Sequence, residues 1–489
     1  MRTVKVIIKK MKVFIDTYGC AKNEYDSSVL AASLADKGCD IVYDTREADV
    51  VILNTCGFIE DAKKESIERI FDLIEYRWNN QKIIVTGCLS ERYHKELSEE
   101  IPEVDMFFGV NDYDRIPDII LSWDNEDTGN TEEKDNGSSD RVGCTLDMLP
   151  YRRRKFEVYD AEYRSETLMH YGYLKIAEGC YNACSFCAIP MIRGTYRSKR
   201  IEDCVKEAQD MASAGIKELV LIAQDTSQYG RDLYGEPRLS ELLHRLCVVE
   251  GIEWIRLMYV YDNGITDDLI ETIASEPKIC NYIDMPIQHI SDKVLKMMRR
   301  RSSGDSIKEV IGKLRDRIPD VHIRTTLLVG FPGETQEDID ELINFIDTYG
   351  IDRLGAFAFS DEEGTPSFDM PDKVPEEERR ARRDLVMQHQ QVISEKLNER
   401  KIGKTVEVMI DRCVEVDCED IIDDINTADE ETLSRMLTLY EGRTRYDAPD
   451  IDCSVYFTSK TWEYPPGKVV KVLITDTYEY DLEGVEAEQ

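Results

Sequence analysis

The sequence predicts an α/β protein in three parts: a doubly wound parallel sheet at the N-terminus, a central open (βα)6 partial TIM barrel, and a small antiparallel β-barrel at the C-terminus. Three observations predict this order. Short apolar runs alternate with helical patterns near the N-terminus, six longer βα units follow, and the periodicity changes to two beyond Gly403. Alternating strands and helices are typical of parallel sheets, whereas a period of two is typical of half-buried strands.

The N-terminal part contains four predicted strands, most of them separated by predicted helices. The strands are predicted at the apolar runs 12–17, 41–43, 50–54 and 82–86. Helical patterns are found at 24–37, 60–76 and 89–98. Because all strands of a parallel sheet point the same way, the loops that follow them share one edge, where ligands bind in open α/β sheets.

The central part repeats the alternation of strands and helices with longer units. Strands are predicted near 173–177, 218–223, 254–260, 281–286, 322–329 and 354–359. Gly215 and Gly350 stand where helix C-terminal glycines belong. Six βα units are fewer than the eight of a closed barrel, so we expect an open one.

Domain boundaries follow from these patterns and from one polar segment. Residues 124–141, DNEDTGNTEEKDNGSSDR, are acidic and rich in Gly, Ser and Asn, which is typical of a linker. We predict an N-terminal domain at 11–123, an acidic linker and connection at 124–165, a central core at 166–396 and a C-terminal domain at 399–486.

The composition limits the partners and the compartment. The 489-residue chain has a formal net charge of −36, which repels nucleic acids and anionic membranes and attracts basic partners. No stretch approaches the ~20 apolar residues of a membrane span, and lysines interrupt the apolar run at the N-terminus. We therefore expect no membrane association and no signal peptide. In the cytoplasm that this implies, clustered cysteines more often bind metal or serve catalysis than form disulfides.

The segment KIAEGCYNACSFCAIPMIRG follows the first predicted strand of the central part and contains three cysteines. Cys180, Cys184 and Cys187 have the spacing Cys-x-x-x-Cys-x-x-Cys. Three thiolates can hold three irons of a 4Fe–4S cluster, and the fourth iron then stays open. The loop resembles that of the radical S-adenosylmethionine (SAM) superfamily, in which the amino and carboxylate groups of the cofactor bind the open iron. A zinc loop with a distant fourth ligand is the alternative.

Residues at other predicted strand ends are candidates for binding SAM. Phe186 precedes the third cysteine, where an aromatic side chain can flank the adenine. Gln224 and Asp225 follow the second strand, where enzymes of this superfamily hold the cofactor's amino group. Gly330 and Gly333 follow the fifth strand, where glycines let the backbone approach the adenosyl part. Further groups expected at the barrel mouth are Tyr259, Tyr261, Gln288 and His289, the last with a structural role.

Three more cysteines follow three predicted strands of the N-terminal part, in the strings TYGC, LNTCG and VTGC. They are Cys20, Cys56 and Cys88, and each has a glycine neighbour that lets the backbone crowd a bulky inorganic group. Because the three loops share one sheet edge, the sequence predicts a second 4Fe–4S cluster with three thiolate ligands. Three buried structural cysteines are the alternative, since free cysteine is often buried.

These strings also resemble the methylthiotransferases along nearly the whole chain. The resemblance rests on YGCAKNEYDS, LNTCGFIEDAKKES, TGCLSERY, YLKIAEGCYNACSFCAIPMIRG, IDMPIQHISDKVLKMMRR and YEGRTRYDAPDID. It implies an N-terminal methylthiotransferase domain, a radical SAM core and a C-terminal TRAM domain. Within the family, GFIEDAKKES is similar to the branch that modifies an aspartate of small-subunit ribosomal protein twelve, because the transfer-RNA branch usually has another sequence there.

The resemblance also implies the cofactors and the reaction. It implies two 4Fe–4S clusters, with SAM as both radical source and methyl donor. A 5′-deoxyadenosyl radical would abstract hydrogen from the β-carbon of the target aspartate, and the sulfur would come from or through the site of Cys20, Cys56 and Cys88. The implied partners are the ribosomal protein, free or on the ribosome, and a reductant such as flavodoxin or ferredoxin.

The C-terminal domain gives an independent indication of the target. Residues 402–489 contain 22 Asp and Glu against 8 Lys and Arg, a net charge of −14. This sign suits a basic ribosomal protein, whereas a domain that binds RNA needs cations facing the phosphates. Three other functions stay open: a transfer-RNA adenosine methylthiotransferase, a two-cluster iron–sulfur electron carrier, and a structural zinc adaptor.

Overall fold

The computed structural model describes residues 10–78, 80–127, 170–414, 438–461 and 464–487, which form two compact units. The first unit comprises the described residues up to 127 together with Met191–Arg193. The second comprises 170–190 and the described chain from Gly194 onward. Most of the predicted linker lies outside the described residues, but its first positions are helical up to Asp127. None of the described helices is long and apolar enough to cross a membrane.

The first unit is a five-stranded parallel sheet with helices between its strands. Its elements are β1 (Lys12–Thr17), α1 (Ala21–Asp36), β2 (Asp40–Ile41), β3 (Val50–Thr55), α2 (Glu60–Glu75), β4 (Lys82–Gly87), α3 (Cys88–Arg92), α4 (His94–Glu100), β5 (Met106–Phe107) and α5 (Ile116–Asp127). The spatial order β2-β1-β3-β4-β5 places β1, β3 and β4 side by side in the middle. Every residue of β3 is buried, as expected for a parallel strand covered on both faces. The predicted doubly wound sheet is confirmed.

Three details of this unit differ from the prediction. The sheet has a fifth strand, β5, whose two residues are too few to show a period. β2 also has two residues, because it pairs with β1 alone at the edge of the sheet. The predicted helix 89–98 is divided into α3 and α4, because the backbone leaves the helical region at Tyr93, where φ is −125° and ψ is 31°.

The second unit contains a six-stranded parallel sheet. Its elements are β6 (Tyr171–Lys175), β7 (Ala177–Glu178), α6 (Ile189–Ile192), β8 (Arg197–Ser198), α7 (Ile201–Ser213), β9 (Glu218–Ile222), α8 (Arg231–Tyr234), α9 (Leu239–Cys247), β10 (Trp254–Leu257), α10 (Asp267–Ser275), β11 (Ile279–Asp284), α11 (Asp292–Met297), α12 (Gly304–Arg317), β12 (His322–Val329), α13 (Gln336–Tyr349), β13 (Arg353–Ala358) and α14 (Glu376–Glu399). The order β13-β12-β11-β10-β9-β6 does not close, which confirms the predicted open barrel. The short strands β7 and β8, which the sequence did not predict, pair antiparallel.

The second unit also contains a small closed barrel. Its strands are β14 (Thr405–Cys413), β15 (Thr438–Thr444), β16 (Val455–Ser459), β17 (Val469–Thr477) and β18 (Leu482–Glu486), in the order β14-β15-β16-β18-β17. The predicted barrel is confirmed with one difference, since β16 and β18 run parallel. The chain crosses the barrel between β16 and β17, so β18 returns beside β16 in the same direction. The acidic segment 415–431 lies outside the described residues.

Buried ion pairs join the small barrel to the amino ends of the large sheet. Arg443 on β15 contacts Glu218, the first residue of β9, at 2.7 Å. Arg353, the first residue of β13, contacts Asp447 at 2.8 Å. All four side chains are buried, and removing one partner of such a pair typically costs about 3–5 kcal/mol. The small barrel is therefore part of the folded core of the second unit, on the side of the sheet opposite its carboxyl ends.

Candidate metal centres and active site

The carboxyl edge of the five-stranded sheet brings together the three cysteines predicted there. Cys20 lies directly before α1, Cys56 directly after β3, and Cys88 is the first residue of α3, directly after β4. Cys56 and Cys88 are buried, and Cys20 is exposed. Burial raises the pKa of Cys56 to about 12, and the negative charges of Cys88 and Cys20 add to this rise. The three sulfurs are therefore within electrostatic reach of one another.

Glycines at the same edge allow the cysteine loops to approach closely. A Cβ atom on Gly19 would lie 2.8 Å from the Cβ atom of Cys56, and one on Gly57 would lie 2.7 Å from the backbone of Leu89. Gly87 has a φ of +100°, and a Cβ atom there would overlap the neighbouring strand β3. Both the space and the backbone conformation at Gly87 therefore require glycine.

A buried polar network holds these loops together. The side-chain amide of Asn23, on α1, donates to the carbonyl oxygens of Tyr18 at 2.8 Å and Thr55 at 3.0 Å. Arg193 donates to the Asn23 Oδ1 atom and to the Asp26 carboxylate, each at 2.6 Å. The sequence analysis missed Asn23, Asp26 and Arg193. Asn23 and Asp26 could have been found from their positions on the helix that begins after Cys20. No local sequence pattern indicates that Arg193 lies near Cys88.

The second triplet occupies one loop of the second unit, as its spacing predicts. Cys180, Cys184 and Cys187 lie between β7 and α6, beyond the carboxyl end of β6. The Cys180 amide donates to the carbonyl oxygen of Gly194 at 3.1 Å, which fixes the beginning of the loop. Burial raises the pKa of Cys180 to about 11 and that of Cys187 to about 12. These thiols need a nearby positive charge, such as that of a metal, to become thiolates at neutral pH.

Two side chains from neighbouring loops approach this triplet. The Tyr261 hydroxyl lies 3.8 Å from the Cys184 sulfur, and the Arg300 guanidinium lies 4.2 Å from the centre of the Tyr261 ring. Arg300 Nη1 is buried and makes no hydrogen bond to any residue that the structure describes. Burial works to lower the pKa of Arg300, but Tyr261 and Cys184 outweigh it and raise this pKa. An unpaired buried donor beside three thiols is suited to an anionic group. The sequence analysis predicted Tyr261 at the mouth and missed Arg300, which stands in a run of three arginines.

Gln224 and Asp225, the candidates for the cofactor's amino group, have different surroundings. Gln224 donates to Glu178 at 2.7 Å, while its own Oε1 atom is buried and has no hydrogen-bond partner among the described residues. Asp225 accepts from the Ser227 amide at 3.1 Å and from the Asn182 side chain at 2.7 Å. Gln224 therefore offers an acceptor for an ammonium group, whereas Asp225 fixes the cysteine loop through Asn182.

The other three candidate cofactor contacts lie in more crowded surroundings. Phe186 packs against an apolar cluster of the second unit. The Gly330 amide donates to the Glu334 carboxylate at 2.8 Å, and a Cβ atom on Gly330 would lie 2.5 Å from the side chain of Arg379. Gly333 has a φ of +81°, a conformation that favours glycine. The two glycines shape the turn after β12, and their contact with a cofactor stays a prediction.

The barrel mouth contains two strained residues and one buried histidine. Tyr259 and Gln288 have positive φ values of 58° and 72°, which typically cost about 1–3 kcal/mol each and concentrate at functional sites. The His289 Nδ1 atom accepts from the Ser291 amide at 3.0 Å, and burial lowers the pKa of His289 to about 4. Its Nε2 atom is buried without a hydrogen-bond partner among the described residues and lies 3.6 Å from the Glu334 carboxylate, so the structural role of His289 stays a prediction.

The donors of the two triplets suit iron–sulfur clusters. Within the described part of the chain, no group of three His, Cys, Asp or Glu side chains is arranged to hold a single metal ion. Each triplet instead offers three cysteine sulfurs, the soft ligands that iron–sulfur clusters select. At the second triplet, the buried Arg300 Nη1 donor without a hydrogen-bond partner in the described structure also suits an anionic group.

Three family models match the chain. The model described as "Uncharacterized protein family UPF0004" matches residues 12–109, the Radical SAM superfamily model matches 174–346, and the TRAM domain model matches 402–486. Together with the loop of Cys180, Cys184 and Cys187, these matches define a radical SAM enzyme with one domain before and one after its core.

Relatives extend the match to nearly the whole chain. The chain is 42% identical over 476 residues to the ribosomal protein uS12 methylthiotransferase RimO of Clostridioides difficile, covering 97% of this chain and 98% of that protein. It is 42% identical over 479 residues, with the same coverage, to the protein of that name from Geobacter sulfurreducens. The chain belongs to the RimO family of methylthiotransferases. It is therefore an enzyme that uses SAM and two 4Fe–4S clusters, and the electron carrier and zinc adaptor are excluded.

A solved structure shows the same arrangement at low sequence identity. The radical S-adenosylmethionine methyltransferase TsrM from Kitasatospora setae, solved with cobalamin and a [4Fe-4S] cluster bound, gives a TM-score of 0.51 at 14% identity. The match covers 81% of this chain and 79% of that one. At this identity the similarity shows the fold alone.

Proposed function

We propose that this enzyme adds a methylthio group to the β-carbon of an aspartate in ribosomal protein uS12 of the small subunit. The observation that carries the proposal is the 40–43% identity, over 97% of the chain, to relatives named as uS12 methylthiotransferases. Two cysteine triplets, each at the carboxyl end of a parallel sheet, agree with a reaction that needs two clusters. A transfer-RNA methylthiotransferase is the alternative that the experiment below tests.

We assign Cys180, Cys184 and Cys187 to the cluster that binds SAM, and Cys20, Cys56 and Cys88 to the second cluster. When bound, SAM supplies a carbon radical at the first cluster and a methyl group for the transferred sulfur. The unpaired Gln224 Oε1 acceptor and Arg300 Nη1 donor match the ammonium and carboxylate of an amino acid, so they support the first assignment.

The same proposal includes the other predicted cofactor contacts. Phe186 is placed to flank an adenine from its apolar surroundings, and Asp225 holds the loop of Cys184 through Asn182. Gly330 and Gly333 give the turn after β12 a conformation that brings its backbone close to a ligand. These residues bind and orient the cofactor, and the chemistry of the radical is the cofactor's own.

The proposed partners and compartment follow from the target. Ribosomal proteins occur in the cytoplasm, free or on the ribosome, so we propose that the enzyme is cytoplasmic. The proposed reaction would require an electron donor, and a small carrier such as flavodoxin or ferredoxin suits this role. The net charge of −36 favours a basic protein partner over RNA or a membrane surface.

We propose that the acidic C-terminal domain attracts the basic target, with one correction to its extent. The side chains of Asp447 and Asp452 are 1% and 4% exposed and are paired with Arg353 and Arg324 of the large sheet, so they cannot face a partner. The acids that remain for docking include the nine between 415 and 431, which lie outside the described residues. Surface charges raise encounter rates and are screened over roughly 8 Å at physiological ionic strength.

Charge neutralisation in 415–431 is the appropriate test of this docking role. It should weaken binding of uS12 at low salt, with a smaller effect at high salt, and leave SAM cleavage without target unchanged. Binding that stays equal to wild type at every salt concentration would show that this segment does not dock the target. Deletion of 402–489 is unsuitable, because it would remove the partners of buried Glu218 and Arg353. We therefore expect SAM cleavage to be lost on that deletion.

The proposed reaction is tested with purified substrates. The enzyme, reconstituted without oxygen, would be incubated with SAM, a reductant and either recombinant uS12 or unmodified transfer RNA. We expect the mass of one methylthio group on a uS12 aspartate and none on the RNA. Cys184→Ala, treated identically, is the control for unspecific modification. Modification of the transfer RNA alone would replace the proposal by the alternative.

A further inference from the structure

Arg193 directs its guanidinium at a predicted cluster ligand of the first unit. Its Nη2 atom lies 3.3 Å from the Cys88 sulfur and donates a hydrogen bond to it. The Nη1 atom donates to the Asp26 carboxylate, and the same Nη2 atom also donates to the Asn23 side chain, so the guanidinium is held in place. Arg193 is only 2% exposed, so this contact lies away from water, where electrostatic interactions are strong.

Asp26 and Asn23 explain why an arginine is stable here, but not why it faces a sulfur. A buried arginine needs a paired carboxylate, and Asp26 supplies one. Asp26 and Asn23 together occupy only part of the guanidinium, which has five donors in a fixed fork. The hydrogen bond to Cys88 favours negative charge on its sulfur, since charge-assisted hydrogen bonds are about twice as strong as neutral ones.

An iron–sulfur cluster responds to such a donor. The reduced cluster carries one more negative charge than the oxidised cluster, and part of this charge lies on its sulfurs. Hydrogen bonds to the sulfurs and the local charge are among the factors that set cluster potentials. A charged donor at Cys88 therefore stabilises the reduced form more than the oxidised form.

We propose that Arg193 is a positioning residue of the N-terminal cluster site, which orients Cys88 and raises the reduction potential of the cluster bound by Cys20, Cys56 and Cys88. The inference rests on the proposed assignment of this triplet to the second cluster. It extends that assignment by naming a residue that acts on the cluster through one of its ligands.

The test is a redox titration of the full-length protein in which Cys180, Cys184 and Cys187 are all changed to alanine, so that the N-terminal cluster alone titrates. Arg193→Gln should lower the ratio of reduced to oxidised cluster about tenfold at a fixed ambient potential, which is about 59 mV for a one-electron couple. Arg193→Lys should lower it less, because lysine keeps the charge but loses the fork. Arg197→Gln, which removes a largely local hydrogen bond to the Thr195 carbonyl, is the control and should not change the ratio.

The possible outcomes test the role of Arg193 separately from the assignment of Cys20, Cys56 and Cys88 to the second cluster. An unchanged potential in both Arg193 variants, with the cluster present, overturns the inference. If Arg193→Gln does not fold or loses its cluster, Arg193→Lys decides: a lowered potential supports the role, and the wild-type value overturns it. Adding Cys56→Ala to the same protein tests the assignment itself, since a cluster that remains would show that it is bound elsewhere.

Discussion

The two cysteine triplets are built in different ways. Cys180, Cys184 and Cys187 share one loop, whereas Cys20, Cys56 and Cys88 come from three loops that only the order of the parallel strands brings together. The arginines beside them differ too. Arg300 is paired with Asp262 at 3.5 Å, and its buried Nη1 atom has no hydrogen-bond partner in the described structure, whereas Arg193 is hydrogen-bonded to Asp26, Asn23 and the Cys88 sulfur.

The difference indicates how each site is used. A single loop with an unpaired donor nearby is suited to a small ligand that comes and goes, as a consumed cofactor does. A site assembled from three strands, with an arginine hydrogen-bonded to one of its sulfurs, is suited to a permanent cluster whose properties the protein sets. Four experiments test whether the two sites differ in this way.

The largest effect is expected at the single loop. Cys184→Ala should reduce formation of 5′-deoxyadenosine to the background, because the cluster that delivers the electron loses one of three ligands. Product analysis after anaerobic reduction with SAM measures this. Cys204→Ala removes a buried thiol of α7 and should retain cleavage. Normal cleavage by Cys184→Ala would show that the loop does not hold the radical-forming cluster.

The same change at the assembled site should separate the two roles. Cys56→Ala should keep SAM cleavage but lose the methylthio product, because the radical is formed at the other triplet. Reconstituted iron should fall from about eight to about four per chain, as expected for loss of one of two four-iron clusters. Iron analysis and product mass measure the two effects. If cleavage is lost as well, the N-terminal site is needed for the fold or function of the other, and the division of roles fails.

A glycine substitution tests whether the assembled site depends on strand geometry. Gly87→Ala should destabilise the fold by about 3 kcal/mol or more, since it combines a forbidden φ with overlap against Thr55, and it should lower iron binding at the first triplet. Gly215→Ala is the matched control: its φ is +102°, but nothing lies within 4 Å of the added Cβ atom. Denaturant unfolding and iron analysis compare the two. If both variants lose the same amount of stability and iron, the positive φ alone, and not the overlap with β3, causes the loss.

The smallest effect concerns His289 and the stability of the second unit. Its pKa of about 4 lies below the usual 6.5, so the unfolded chain binds more protons between these values. Stability should therefore fall with decreasing pH from ~6.5 towards 4, by about 1 kcal/mol per pH unit from this residue. Urea unfolding of wild type and His289→Asn at pH 7.5 and 5 measures the difference. If the free energy of unfolding depends on pH identically in both proteins, His289 does not contribute to that pH dependence.

Much of the fold can be predicted from the sequence, because its signals are local. The alternation of β3, α2 and β4 is visible in short apolar runs and helical periods. The glycine at Gly350, in the left-handed conformation after α13, marks a helix end wherever the helix packs. The two-residue strand β5 cannot be predicted, because it is defined by its pairing with β4 and is too short to show a period. The helix break at Tyr93 cannot be predicted either, because a change in the backbone angles of one residue does not alter the sequence period.

The three-part architecture and the six cysteines of the two predicted sites follow from local sequence patterns. Strand and helix periods depend on nearby residues, and so does the spacing of Cys180, Cys184 and Cys187. Long-range packing determines which side chains lie beside those cysteines. It also determines which of the described acids of the C-terminal domain are buried. Arg193 reaches Cys88 across 105 positions, and Arg353 neutralises Asp447 across 94. Contacts over such separations depend on the packing of whole sheets. A charged residue in the sequence therefore does not show whether its side chain will face solvent or pair with a buried partner.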